Sequence, residues 1–103
     1  MNYNYSNPNF CYQFIAPMFT LNFVFPDASH FHNFYTCNGT IHMECITLYP
    51  DGSRTAPVVF TEDSEDYRAF FETPFGHKAR KIMSDYRAGK LQSSTYTFDV
   101  VPM

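Results

Sequence analysis

The chain has 103 residues, 45% hydrophobic and 19% aromatic, with 12 Phe, 8 Tyr and no Trp. That is enough for one packed domain built largely from rings, and it excludes a wholly disordered chain. A formal net charge of −3 is not the strongly basic balance of a non-specific DNA binder, and no run of about 18 apolar residues is present to form a membrane-spanning helix.

Residues 1–9 are rich in Asn and Tyr and read as an N-terminal arm, flexible or laid on a partner through Tyr3 and Tyr5. Residues 10–103 read as a single domain. The first ten residues have neither the basic start nor the apolar stretch of a secretory signal. Cys11, Cys37 and Cys45 make an odd count, so the expectation is a cytoplasmic chain with reduced thiols.

Residues 10–16 alternate as a strand does, with Phe10, Tyr12 and Phe14 on one side, until Pro17 interrupts. Residues 18–25 give the clearest strand: Phe19, Leu21, Phe23 and Phe25 point one way, Thr20, Asn22 and Val24 the other. Pro26-Asp27 ends it. Residues 28–37 carry two conflicting periods. Phe31, Phe34 and Tyr35 have helical spacing, whereas His30 and His32 alternate with rings; the segment reads as a short helix or irregular stretch.

Asn38-Gly39 is a two-residue turn, since both positions tolerate positive φ. Residues 40–49 form a strand rich in Ile and Thr, Pro50-Asp51-Gly52-Ser53 turns the chain, and residues 54–61 return, with Pro57 suggesting an edge or bulge. The period then changes. Asp63 or Ser64 caps a helix whose apolar stripe is Tyr67, Phe70 and Phe71, and Thr73-Pro74 breaks it. A second helix runs from Phe75 or Gly76 to Ala88, with Ala79, Ile82, Met83 and Tyr86 on one face, and Gly89 stops it. Residues 94–101 read as a last strand, with Tyr96, Phe98 and Val100 on one face.

The expected fold is therefore α+β: a mostly antiparallel sheet of about five strands, in the order β-β-(short α)-β-β-α-α-β, with helices packed on one face. Charge is unevenly distributed over it. Residues 1–43 contain one charged residue, Asp27; residues 62–72 carry a net −4 and residues 77–90 a net +4. Helix dipoles account for part of the acidic and basic blocks. The charge-poor half resembles interface composition, or else its strands are simply central in the sheet.

His30, His32, Cys37, His42 and Cys45 fall within sixteen residues and invite a zinc or thiol site. The spacing matches no strong ligand pattern, and His42 and Cys45 have opposite parity on one strand, so no metal or cofactor is expected. No phosphate loop or nucleophile signature is present. The sequence thus points to a small non-enzymatic interaction module, an inhibitor, adaptor or accessory factor of the type carried by phages and mobile elements. It would dock on another protein or self-associate as a homodimer, through Tyr3, Tyr5 and Tyr12 on one side and Lys78, Arg80, Lys81 and Arg87 on the other. The alternative is a nucleic-acid-binding accessory protein using the basic helix 77–90 beside aromatic strands.

Overall fold

The computed structural model describes residues 14–100. Tyr3, Tyr5, Tyr12 and Cys11 lie outside them. The fold is α+β, with strands β1 (Ile15–Val24), β2 (Ser29–Cys37), β3 (Thr40–Leu48) and β4 (Val58–Thr61), helices α1 (Glu65–Phe71) and α2 (Pro74–Arg87), and a last strand β5 (Thr95–Asp99). The sheet order is β4-β3-β2-β1-β5. All neighbours are antiparallel except β1 and β5, which run parallel with Thr20 opposite Thr95.

Three expectations are corrected. Residues 28–37 are neither helical nor irregular but form β2, the central strand. Each of its residues from Ser29 to Cys37 is matched by one on β3, so ladder pairing on both sides overrides the weak helical spacing of its rings. Pro17 does not divide two strands either. β1 runs through it, with a register shift between Pro17 and Phe19 that absorbs Met18 as an extra residue. The returning strand is shorter than 54–61: Arg54 makes an isolated bridge to Leu48, and regular pairing resumes only at Val58, after the missing donor of Pro57.

The turns and caps follow the local chemistry. Asn38 and Gly39 have φ of 53° and 83°, the left-handed pair that a tight hairpin requires. Ser64 caps α1 by accepting from the Tyr67 amide, and Thr73 caps α2 by accepting from that of Gly76, with Pro74 as the first helical residue. The two helices are separated by only two residues. Gly76 sits where a β-carbon would overlap the backbone of Phe70 and Phe71, so the start of α2 touches the end of α1.

Both helices cover one face of the sheet. Leu21, Phe23, Phe34 and Met43 are almost completely enclosed, with Phe19, Tyr67, Ala79, Ile82 and Met83 around them, and no buried residue among those described is polar or charged. Rings interlock: Phe19 stacks on Phe34 at 4.8 Å, and Phe23 on Phe98 at 5.4 Å. Truncating one such Phe typically costs about 3–5 kcal/mol, whereas an exposed ion pair contributes at most about 1 kcal/mol. The aromatic core, not the charge, holds the fold.

The central position of β1 and β2 explains much of the charge-poor half. Their opposite face is tied by side chains: the Thr20 hydroxyl donates to Asn33 Oδ1 at 2.7 Å, and Asn33 Nδ2 donates to Glu44 Oε1 at 3.1 Å. That polar row spans β1, β2 and β3 with only one formal charge. No described helix is long and apolar enough to cross a membrane.

Candidate functional site

Pairing register decides where the histidines and cysteines go. His32 faces Cys45 across β2 and β3, and His30 faces Thr47; Tyr35 faces His42, and Cys37 faces Thr40. Alternation therefore puts His30, His32 and Cys45 on the helix side and His42 and Cys37 on the other. The five do not converge, and among the described residues no three His, Cys, Asp or Glu side chains are placed to hold a metal ion.

A close pair is formed by His32 Nδ1 and Cys45 Sγ, 3.4 Å apart. The imidazole is stacked on Phe70 at 4.6 Å and meets the edge of Phe23 at 5.7 Å. Burial, and secondarily the charge of His30, lowers the His32 pKa to about 4. Burial, and then Glu44, pushes the Cys45 thiol up to about 11. Both groups are thus neutral near pH 7. An activated cysteine needs the reverse, a thiolate held by a cationic partner, so this pair serves as a packed polar contact under α1.

The basic residues of α2 do not form one stripe. The Lys78 ammonium lies over the Phe98 ring at 5.1 Å, toward β5. Lys81 pairs with Asp85 one turn on, at 2.9 Å. Arg80 pairs with Glu72 at 2.6 Å and donates from Nε to the Phe71 carbonyl at 3.0 Å. Arg87 has no ion-pair partner among the described residues.

Arg80 and Arg87 nevertheless share a feature that the sequence did not reveal. With Ser84 between them, they form one wall of a groove of about 380 Å³ between α1 and α2. Tyr67 and Phe71 of α1 and Met83 of α2 line the rest. Positions 80, 84 and 87 fall on one helical flank, a spacing legible in the sequence; the apposition of α1 was not, because it depends on the close approach at Gly76. The Tyr67 hydroxyl is pushed up to about 12 by burial and by Glu62, against the opposing effect of Arg87. The groove therefore has a neutral, largely aromatic floor and a cationic wall.

No family model matches the chain, and no curated protein or solved structure is significantly similar to it.

Proposed function

We propose that this is a small, non-enzymatic interaction module that docks on a larger protein through the groove between α1 and α2. The observation that carries the reading is the juxtaposition of Arg80 and Arg87 with the apolar surface of Tyr67, Phe71 and Met83. Interfaces concentrate their energy in such places, where an aromatic or aliphatic anchor enters a pocket beside an arginine. Arg87 is available for a new partner because it is not engaged in an ion pair within the described residues. Arg80 is held in position by Glu72 and by the Phe71 carbonyl, which lowers the entropy lost when it binds.

The nucleic-acid reading is less well supported. Tracking a phosphate backbone needs an unbroken cationic path. Here Lys78, Lys81 and Arg80 each have their own local partner, on different sides of α2, and Glu62 and Glu72 lie near the groove.

The test is affinity capture from the native host with wild-type protein and with the double variant Arg80→Glu, Arg87→Glu. The variant is expected to keep the wild-type circular dichroism and to lose its captured protein. Capture unchanged by both substitutions would remove the groove from the interface. Recovery of nucleic acid with a steep salt dependence would favour the alternative.

A further inference from the structure

β4 is one edge of the sheet, and its exposed side has an unusual composition. Residues 55–61 (Thr-Ala-Pro-Val-Val-Phe-Thr) carry no charge, and Val58 and Val59 are 52% and 45% exposed. Sheet edges are normally protected by charged side chains, proline, bulges or short length. This edge has Pro57, an irregular stretch before it and only four regular residues, but no charge along the regular part.

The register identifies the outward groups. The Glu62 amide donates to the Ile41 carbonyl, and Phe60 lies opposite Met43 and Val58 opposite Cys45. Antiparallel alternation then turns the N–H and C=O of Val59 and Thr61, and the C=O of Pro57, away from β3. The Thr61 carbonyl already accepts from the Ser64 amide at 3.0 Å and from its hydroxyl at 2.8 Å. What remains is a short array: an acceptor at 57, a donor and an acceptor at 59, and a donor at 61.

That array is self-complementary, and we infer that β4 pairs antiparallel with β4 of a second copy, with Val59 opposite Val59 on a two-fold axis. Two bonds join the Val59 amides and carbonyls, and two more run from each Thr61 N–H to the Pro57 carbonyl of the other copy. Pro57, which has no N–H, then lies opposite the Thr61 carbonyl that Ser64 has already satisfied. The pairing leaves no new donor or acceptor without a partner.

Charge complements the hydrogen bonds. Arg54 precedes the uncharged stretch, and Glu62 and Asp63 follow it. Antiparallel pairing brings Arg54 of each copy to the Glu62–Asp63 end of the other. Arg54 makes no ion pair within the described part of its own chain. Because the contact is isologous and uses up the four-residue edge, it closes as a dimer and does not propagate. The inference concerns a surface separate from the groove and stands or falls without it.

Sedimentation velocity over a dilution series tests it. Wild-type protein is expected to pass from monomer to dimer as concentration rises. Val59→Lys and Val59→Glu, which each place like charges face to face on the axis, are expected to weaken dimerisation at least tenfold, and an equimolar mixture of the two to restore it. Amide exchange on the wild-type chain gives a readout that does not depend on any variant folding: protection at Val59 and Thr61 should grow with concentration. A wild-type chain that stays monomeric throughout, dimers indifferent to charge at position 59, or exchange at Val59 and Thr61 that ignores concentration would each overturn the pairing.

Discussion

His32 and Cys45 face one another across β2 and β3 with Nδ1 and Sγ 3.4 Å apart, and the same burial drives their pKa values in opposite directions. The imidazole is kept neutral by being too hard to protonate, the thiol by being too hard to ionise. Each carries a separate consequence.

For His32, the pKa of about 4 in the fold lies below the ordinary value near 6.5. The folded chain therefore binds fewer protons than the unfolded chain between those values. The resulting stabilisation is complete above about pH 6.5, declines as pH falls and is gone below about pH 4. Denaturant unfolding at pH 7 and pH 5 should show a loss of about 1–2 kcal/mol that is reduced in His32→Phe. Equal pH dependence in the two proteins would contradict the buried neutral imidazole.

For Cys45, a thiol raised to about 11 reacts slowly, because only the thiolate is nucleophilic. Alkylation of Cys45 in the native protein at pH 8 is expected to be slower than in the denatured chain by one to two orders of magnitude. Peptide mapping after timed treatment with iodoacetamide measures it at that residue; equal rates in the two states would refute it.

At Gly76, a side chain has nowhere to go, since its β-carbon would enter the backbone of Phe70 and Phe71. Alanine is normally the better helix former by about 1 kcal/mol. Here Gly76→Ala should instead destabilise by about 2–3 kcal/mol, as overpacking against a rigid backbone does. The sign of the change in thermal midpoint decides between them.

The helix caps offer a smaller effect that can be compared with the core. Ser64→Ala and Thr73→Ala each remove the acceptor of an otherwise unsatisfied helix amide and should each cost about 1 kcal/mol. Phe34→Leu, at a site almost closed to solvent, should cost more than either. Chemical denaturation of the three variants gives the order.

Much of the fold was legible in local signals. The alternation of Phe19, Leu21 and Phe23, the Asn38-Gly39 turn, the Ser64 start and the Gly89 stop all depend on a few neighbouring residues, and each sits where those neighbours direct it. Thr73-Pro74 reads in the sequence only as a break, whereas Thr73 caps α2 and Pro74 is its first residue. β2 is not legible locally, because its rings fit two periods at once and only the flanking strands select one. The bulge at Met18 was hidden for a similar reason, since a register shift exists only relative to a partner strand. In the candidate site, the positions of Arg80 and Arg87 on one flank followed from helical spacing, whereas their aromatic floor comes from a neighbouring helix whose placement no local pattern encodes. The edge of β4 was half visible: Pro57 suggested an edge, but which of its amides face outward follows from the register alone.

The parallel pairing of β5 with β1 has a temporal consequence. Thr20 and its neighbours are made well before their ladder partners, Thr95 to Asp99. Until the ribosome has released that last stretch, β1 has an open edge of Thr20, Leu21, Asn22, Phe23 and Val24, and Phe23 lacks the Phe98 ring that stacks on it. The nascent chain must hold β1 half-paired while both helices are being made, so the interval before residue 95 emerges is when that open edge is most exposed to aggregation.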